Sequence, residues 1–551
     1  MKKNLSLGLA LLLGPALWAQ PRLSWISTNV HPAPQAEAPA RLTADTTLTV
    51  WRGERASMQA VVYAAEATGP LQLRWSGTKN NAKQAPQAEA RFVRYVTTDN
   101  FQYCGYHPTH LTPYSVPDLI ADDASCSVQA RSAQPVWCTF EVPQTAAAGT
   151  HRYRLELVDS ATCRVVGRLN LSLKVLSRTL PSPQEQAFHV DFWQQPYAVA
   201  RQHGVARWSD AHFEALKPYL RLLARSGQKV ISTILFYEPW GDQSYDKFDP
   251  MVRTVKRKDG SWAYDYSVFD RYVQLCLDCG IGPQINCFSM VPWDMKFRYF
   301  DEAQGQQIDL SATTSSQEYR DLWTAFLTDF AAHLKQKGWF DRTCIAMDER
   351  GLDAMLDAYR VAQQAVPGLK MALAGNYHAE LVDKLHDYCI AYGQDFSAEE
   401  LAARRRQGRV STTYTCCSNT HPNLFSNSLP AEAAFLPVYC VANRFDGYLH
   451  WSWMNWDDKS LTDTRYRLFA PGDTYLIYPG PQSSVRYERF IEGVALAEKV
   501  RLLRQELAAS QQSERLERLN RLVQRFEPDD YPEGETAATL VDALKAEVNL
   551  P

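Results

Sequence analysis

Two adjacent carboxylates, Asp348 and Glu349, follow an apolar segment in the stretch RTCIAMDERGLDAM, which runs from Arg342 to Met355. In a regular strand, neighbouring side chains point to opposite faces, whereas at the curling end of a strand both can approach one ligand from different sides. Two acids this close repel each other when both are ionised, which tends to raise the pKa of one of them. A carboxyl with a raised pKa can serve as a general acid near neutral pH. The pair therefore predicts acid–base chemistry.

The elements that would position this pair begin at about residue 187, where short apolar segments start to alternate with helical ones. Eight β-then-α units predict a (β/α)8 barrel of the TIM type. An open doubly wound sheet is the weaker interpretation, because the chain has no glycine-rich first turn of the kind that binds nucleotides. The eight candidate strands are 187–193, 229–237, 281–288, 343–349, 370–376, 387–393, 410–416 and 446–453.

The carboxyl ends of barrel strands form the active-site face in this fold, so the residues at those ends predict the walls of a cleft. Aromatic, amide and carboxylate groups dominate there, and few Lys or Arg side chains appear. Aromatic rings stack on sugar rings and polar groups bind hydroxyls, whereas phosphate would call for cations. The predicted substrate-binding residues are His189, Asp191, Trp193, Tyr237, Trp240, Asn286, Asn376, Tyr392, Tyr414, Trp451, Trp453 and Asn455.

The seventh candidate strand ends in TTYTCCSN and carries no carboxylate. Glycoside hydrolysis usually needs an acid and a second carboxylate on the other side of the scissile bond, with substrate-assisted enzymes as an exception. In the exception, a 2-acetamido group of the sugar attacks its own anomeric carbon. One carboxylate then orients that amide while the other protonates the leaving oxygen. Asp348 and Glu349 fit this scheme, and a retaining enzyme with Glu238 as nucleophile is the alternative.

Three further segments are predicted around this pattern. Residues 20–180 contain many short alternating strands between turn residues, which is typical of a β-sandwich. A proline-containing linker precedes the barrel, predicted at 185–490. Residues 491–551 form a short helical tail with apolar residues at three- and four-residue spacing. The fold class is therefore a multidomain chain with a β-sandwich, a barrel and C-terminal helices.

The first 19 residues have the pattern of a secretory signal peptide. Lys2 and Lys3 precede an apolar run from Leu5 to Leu13, and small residues lie near Ala19. Cleavage there would give an exported protein, periplasmic or secreted. No later stretch is apolar for long enough to predict a membrane span.

The overall composition excludes some function classes. A net charge of −3 and the absence of a basic stripe argue against a nucleic-acid partner. No group of His, Asp and Glu has a convincing metal-ligand spacing, so neither a metal nor a cofactor is expected. Twelve cysteines in an exported chain permit disulfides, and Cys104 with Cys126 is the expected pair. The oligomeric state is not predicted.

The late segments DGYLHWSWMNWDD, FAPGDTYLIYPGP and SSVRYERFIEGV, together with the Asp-Glu pair and the β-rich first domain, resemble glycoside hydrolase family 123. The resemblance implies an exo-acting enzyme that removes terminal β-linked N-acetylgalactosamine with retention, through an oxazoline. By position, Asp348 resembles the residue that orients the acetamido group, and Glu349 resembles the general acid/base. A tyrosine usually holds the acetamido oxygen in such mechanisms, and Tyr392 and Tyr414 are both candidates. A non-catalytic glycan-binding protein on a decayed barrel is a further alternative, although both acids are present.

Overall fold

The computed structural model describes residues 20–77 and 84–551. The predicted signal peptide, residues 1–19, lies outside the described residues. A β-rich domain comes first, an eight-stranded parallel barrel with surrounding helices follows, and further helices complete the chain. The predicted fold class is thereby confirmed.

The N-terminal domain is a sandwich of two five-stranded sheets. One sheet has the order β1-β3-β8-β5-β6, and the other has the order β2-β10-β9-β4-β7. In β10, the buried residues Leu169, Leu171 and Leu173 alternate with exposed or half-buried ones, so that one face of the second sheet is buried against the first. The strands are β1 Arg22–Ile26, β2 Asp45–Arg52, β3 Arg55–Ala64, β4 Pro70–Gly77, β5 Gln87–Thr98, β6 Tyr114–Ile120, β7 Cys126–Ser127, β8 Ser132–Glu141, β9 Gly149–Asp159 and β10 Val165–Thr179.

The barrel contains all eight predicted strands, in the order β11-β22-β21-β20-β19-β18-β15-β12. It is nearly closed. At the seam between β11 and β12, the backbones are joined by a parallel bridge between Val190 and Gln228 and by a 2.9 Å hydrogen bond from Lys229 N to Val190 O. The Gln228 side chain also bonds to the backbone of Phe192. The strands are β11 His189–Phe192, β12 Val230–Ile234, β15 Gln284–Phe288, β18 Thr343–Met347, β19 Lys370–Gly375, β20 Asp387–Ala391, β21 Val410–Tyr414 and β22 Gly447–His450.

A separate four-stranded sheet, which was not predicted from the sequence, accompanies the barrel. Its strand order is β14-β13-β16-β17, and it belongs to the loops after β12 and β15. Its side chains are mostly half-buried or exposed, so no apolar run marks the strands in the sequence. The strands are β13 Arg253–Lys256, β14 Trp262–Asp265, β16 Lys296–Asp301 and β17 Gln306–Ser311.

Helices connect most of the barrel strands. Between β19 and β20 the connection is a 3₁₀ turn, Ala379–Leu381, in place of an α-helix. Helix α7 was not predicted, because it is apolar on all sides and contains Pro437. The helices are α1 Pro196–His203, α2 Asp210–Ala224, α3 Ser267–Asp278, α4 Gln317–Lys337, α5 Leu352–Ala365, α6 Ala398–Arg406, α7 Pro430–Ala442, α8 Val485–Ala509, α9 Ser513–Gln524 and α10 Ala537–Val548.

Helix α8 connects the barrel to the sandwich. Its first half is fully buried, and four ion pairs among the described residues join it to the N-terminal domain, two of which involve neighbouring residues of the sandwich. Arg55 Nε lies 2.8 Å from Glu488 Oε2, and Lys499 Nζ lies 2.7 Å from Glu54 Oε2. The predicted boundary at residue 490 therefore falls inside a continuous helix. No helix within residues 20–77 and 84–551 has both the length and the apolar character needed to cross a membrane.

The expected disulfide between Cys104 and Cys126 is wrong, because Cys104 pairs with Cys417. Cys126 lies in the two-residue strand β7, which is held against β4, and its thiol donates to Gln134 Oε1. The loop that carries Cys104 extends instead from the sandwich to the barrel. Proximity in the sequence was a poor guide here, since the paired cysteines are 313 residues apart.

Candidate active site

A cleft of about 210 Å³ opens at the carboxyl ends of the barrel strands. The loop after β18 provides Asp348 and Glu349, while Trp193, Tyr414 and Trp451 come from the ends of β11, β21 and β22. Its walls are formed by Cys104, Trp193, Gln243, Trp293, Asp348, Glu349, Ala374, Tyr414, Cys416, Cys417, Leu449, Trp451, Phe469 and Asp473.

Asp348 is the first residue after β18, and both of its carboxylate oxygens are engaged. Oδ1 accepts a 2.8 Å hydrogen bond from the backbone N–H of Glu349, and Oδ2 accepts a 3.0 Å bond from Trp293 Nε1. Loss of hydration at the half-buried cleft floor raises the pKa of Asp348 to about 6. The indole hydrogen bond acts in the opposite direction, and the neighbouring charge of Glu349 adds to the rise.

Glu349 has a different hydrogen-bond partner from Asp348. Its Oε1 accepts a short hydrogen bond from the Tyr414 hydroxyl at the end of β21. Burial, with the nearby Glu349 charge, raises the pKa of Tyr414 well above its usual value, so the phenol remains a proton donor. The two adjacent acids thus diverge, one towards Trp293 and one towards Tyr414. This divergence allows both to act on one ligand.

Aromatic rings form the apolar part of the cleft. Trp193 is stacked on Trp240, with ring centroids 5.4 Å apart, and is thereby held from behind. On another wall, the rings of Trp451 and Phe469 are 4.7 Å apart. Flat apolar faces beside carboxylates suit the mixed surface of a sugar ring.

A third carboxylate, Asp473, lines the cleft and was not among the predicted site residues. It is 1% exposed, and its Oδ2 accepts a 3.3 Å hydrogen bond from Trp451 Nε1. Its Oδ1 has no hydrogen-bond partner within the part of the chain that the structure describes. Burial raises the pKa of Asp473 to about 7. A buried, half-satisfied carboxyl at a cleft wall is suited to accept a ligand hydroxyl.

The segment of Asp473 is held by Arg486 at the start of α8. The Arg486 guanidinium donates to the carbonyl oxygens of Leu424 and Gly472, the latter at 2.8 Å. Gly472 has a φ of +78°, and a β-carbon there would lie 2.9 Å from the Arg486 side chain. The motif PGDTYLIYPG and Arg486 after it therefore form one structural unit. This motif was the only feature of the sequence that pointed to the Asp473 wall of the cleft.

Three predicted wall residues lie below the cleft, inside the barrel. His189 starts β11 at the far end of the barrel, and burial lowers its pKa to about 4. Asp191 and Asn286 line a cavity of about 10 Å³ in the barrel interior. Burial, together with the charge of Asp387, raises the pKa of Asp191 well above its usual value. Alternation along β11 places His189, Asp191 and Trp193 on one face, but only Trp193 reaches the cleft.

Three other predicted wall residues make their contacts outside the cleft. The ring of Tyr237 lies under Arg298 of the inserted sheet, 3.6 Å from its guanidinium carbon. Asn376 is exposed and accepts from Gln394 Nε2. Tyr392 donates to the backbone oxygen of Asp529 in the C-terminal region, at 2.8 Å. None of the three predicted residues lines the cleft.

The predicted wall residues after β22 also lie in different places. Trp453 is fully buried, and its ring centroid is 4.6 Å from that of Tyr487. Asn455 is 1% exposed, and its Oδ1 accepts from the backbone N–H of Tyr245 at 2.8 Å. Only Trp451 of this aromatic run lines the cleft. The reason is that β22 ends at His450, after which strict alternation no longer applies.

Glu238, the alternative nucleophile, does not line the cleft. It is 7% exposed, and its Oε2 accepts a 2.8 Å hydrogen bond from the backbone N–H of Phe248. Within residues 20–77 and 84–551, no group of three or more His, Cys, Asp and Glu side chains is placed to hold a metal ion.

Comparisons with known proteins agree with this architecture. Residues 193–503 match the profile described as glycoside hydrolase 123, catalytic domain, and residues 25–159 match the glycoside hydrolase 123 N-terminal domain. A sequence comparison with curated proteins finds no match.

Among solved structures, a family 123 glycoside hydrolase from Clostridium perfringens, described in connection with glycolipid glycan hydrolysis, shares the fold. It is 23% identical, with a TM-score of 0.84, and the alignment covers 96% of this chain and 97% of that one. A β-glucuronidase from Bacteroides uniformis is 11% identical over 78% of this chain and 48% of its own, and its TM-score of 0.29 is too low to bear on function. Since the catalytic-domain profile covers more than half of the 551 residues, the chain belongs to glycoside hydrolase family 123 and is a glycosidase.

Proposed function

We propose that this glycosidase removes terminal β-linked N-acetylgalactosamine from glycans, with retention and with assistance from the substrate. The observation that carries the proposal is the divergence of Asp348 and Glu349 from one strand end, towards Trp293 and Tyr414 respectively. Adjacent carboxylates cannot flank a scissile bond from two distant strands, as most retaining enzymes require. They can instead orient the amide and protonate the leaving oxygen of the same sugar.

In the proposed first step, Asp348 accepts the acetamido N–H and turns the carbonyl oxygen towards the anomeric carbon. That oxygen attacks the carbon, the glycosidic bond breaks, and Glu349 donates a proton to the departing oxygen. The resulting oxazolinium ion is stabilised by the negative charge of Asp348. Water then attacks the anomeric carbon from the face that the leaving group left, Glu349 takes its proton, and the bond between the anomeric carbon and the oxazoline oxygen breaks to restore the acetamido group. Two inversions give net retention.

Tyr414 is the proposed partner of the acetamido carbonyl, since it lines the cleft and remains protonated. Tyr392 is unsuited to this role, because its hydroxyl is bonded to Asp529 away from the cleft. The Tyr414 hydroxyl donates a hydrogen bond to Glu349. We propose that the phenol keeps the Glu349 carboxyl in place and meets the acetamido group beside it.

The size of the cleft supports exo action. About 210 Å³ is below the range of roughly 300–1,000 Å³ found for drug-sized ligands, and it suits a single sugar ring. Trp193 and Trp451 would stack on the ring, and the free Oδ1 of Asp473 would accept one of its hydroxyls. A hydroxyl buried against an unpaired carboxyl contributes strongly to discrimination between sugars.

The proposed substrate is a glycolipid or related glycan with a terminal β-N-acetylgalactosamine, because the Clostridium perfringens relative acts on glycolipid glycans. The proposed location is the periplasm or the exterior of the cell. The Cys104–Cys417 disulfide supports export, since such bonds persist in oxidising compartments. Sequencing the amino terminus of the mature protein tests cleavage after residue 19.

A second possible mechanism is a double displacement, in which the Asp473 carboxylate is the nucleophile and the sugar needs no acetamido group. The one observation in favour of this mechanism is that Asp473 lines the cleft and is separate from the Asp348–Glu349 pair. Its raised pKa works against it, because a protonated carboxyl is a poor nucleophile.

The deciding experiment incubates the purified protein with nitrophenyl β-glycosides of N-acetylgalactosamine, N-acetylglucosamine and galactose. Release from the first, with the β-anomer as the first product in NMR and inhibition by a galacto-configured thiazoline, is the expected result. Release from galactoside without thiazoline inhibition would favour Asp473 as nucleophile. Glycan binding in calorimetry without any release would favour a non-catalytic binding protein.

A further inference from the structure

The loop of residues 99–113 extends from the sandwich domain to the mouth of the cleft. It joins β5 to β6, and its Cys104 is one of the residues that line the cleft. A part of the N-terminal domain therefore borders the catalytic site of the barrel. The remaining cleft-lining residues all belong to the barrel and its loops.

This loop is fixed at its tip. Cys104 is bonded to Cys417 in the loop after β21. Directly after the disulfide cysteine, the backbone N–H of Gly105 donates to Leu468 O at 2.9 Å, and that of His107 donates to Arg467 O at 2.8 Å. Three attachments within four residues place the tip against the barrel at a defined position.

The base of the loop is also ordered by its own side chains. Asp99 is fully buried, and its Oδ1 accepts from the backbone N–H of Phe101 at 2.9 Å. The rings of Phe101 and His107 are 4.5 Å apart. The loop is thus a preformed surface, so that little conformational entropy would be lost when it binds a ligand.

Two tyrosines beside the disulfide are almost free of contact with the fold. Tyr103 is 72% exposed and Tyr106 is 82% exposed, the highest values for large hydrophobic residues in the described part of the chain. The ring of Tyr103 lies 6.1 Å from that of Phe101, which supports one side of it. The two rings lie near the mouth of the cleft, and packing within the fold does not explain why aromatic residues stand at these positions.

We propose that Tyr103 and Tyr106 form an aglycone subsite, which binds the sugar that follows the cleaved residue. The inference rests on the proposed function, because an exo-acting enzyme encloses one terminal ring while the rest of the glycan leaves through the mouth. A cleft of about 210 Å³ leaves the second sugar outside the barrel, where this loop is the neighbouring surface. Aromatic rings with a polar hydroxyl bind such amphipathic rings by stacking and hydrogen bonding.

The test compares two substrates that share the terminal sugar and differ in the aglycone. One is nitrophenyl β-N-acetylgalactosaminide, and the other is a disaccharide in which the same sugar is β-linked to galactose. For Tyr103→Ala and Tyr106→Ala, we expect the ratio of kcat/KM for the disaccharide to that for the nitrophenyl glycoside to fall roughly three- to tenfold. Thermal melting checks that both variants fold.

Tyr63→Ala is the matched control, because Tyr63 is a half-buried tyrosine of the same domain that does not line the cleft. We expect this variant to leave the ratio of the wild type. An unchanged ratio in both loop variants, or an equal fall in the control, would overturn the subsite. Failure of the wild type to release sugar from either substrate would instead refute the proposed function, so the two failures are distinguishable.

Discussion

The indole N–H of Trp293 donates a 3.0 Å hydrogen bond to Oδ2 of Asp348, at the floor of the cleft. Trp293 follows β15 in the chain, so two neighbouring barrel strands contribute to one carboxylate environment. The guanidinium carbon of Arg350 lies 4.8 Å from the centroid of the Trp293 ring, a cation–π contact that helps hold the indole in place. This arrangement fixes the orientation of Asp348 and partly offsets the rise in its pKa.

The pH dependence of the reaction tests this relationship. The proposed mechanism needs ionised Asp348, and burial raises its pKa to about 6, so kcat/KM should fall as the pH drops through about 6. Trp293→Phe removes a hydrogen bond that lowers this pKa. The acid limb of the pH profile should therefore move to higher pH, while the limb at high pH stays in place. A limb that moves to lower pH would contradict the assignment.

Glu349→Gln tests the general acid through leaving-group dependence. An amide cannot donate the proton that a poor leaving group needs, so kcat/KM should fall about 100- to 10,000-fold for an alkyl glycoside. The fall should be much smaller for a dinitrophenyl glycoside, which departs without a proton. Asp348→Asn should instead slow both substrates to a similar degree, because it removes stabilisation of the oxazolinium ion. Steady-state rates on the two substrates distinguish the roles.

Most of the scaffold was predictable from the sequence, for a simple physical reason. Each barrel strand is a short segment of mostly apolar residues that is buried almost throughout, and such segments are readily seen between helices. Helix α7 and the inserted sheet lack this contrast, since the helix is apolar throughout and the sheet strands are mostly exposed.

The candidate site was predictable only in part. Alternation along a strand identifies the inner face of a barrel but not the height at which a side chain lies. His189, Asp191 and Trp193 share that face, yet they lie at the far end, in the interior and in the cleft, respectively. Asp473 comes from an irregular segment placed by Arg486, a long-range contact that no local pattern reveals.

The choice between two tyrosines is settled by a pair of matched variants. Tyr414→Phe removes a hydroxyl that donates to Glu349, and a hydrogen bond to a charged group contributes about 1.5–3 kcal/mol. We expect kcat for nitrophenyl β-N-acetylgalactosaminide to fall about tenfold or more. Tyr392→Phe removes a similar hydroxyl bonded to Asp529 O, outside the cleft, and should retain the kcat of the wild type. Equal losses in the two variants would argue against a role for Tyr414.

The ion pair between Arg486 and Asp118 links the start of α8 to β6 of the sandwich. Arg486 Nε lies 2.9 Å from Asp118 Oδ2, and both side chains are at most 1% exposed. Arg486→Met leaves the Asp118 charge buried without its partner, which costs about 3–5 kcal/mol in free energy of unfolding. The variant also loses the bonds to Leu424 O and Gly472 O that hold the Asp473 segment. Both a lower stability and a weaker affinity for the terminal sugar are therefore expected.

Arg521→Met serves as the control for this prediction. Arg521 Nη1 lies 3.7 Å from Glu517 Oε2 in an exposed pair on α9, with 66% and 71% of the side chains accessible. Exposed pairs of this kind contribute about 0–1 kcal/mol, because water and salt screen the charges. Urea denaturation should thus separate the two variants clearly, and calorimetry with N-acetylgalactosamine should show weaker binding only for Arg486→Met. Similar unfolding midpoints in the two variants would mean that the buried pair does not hold the domains together.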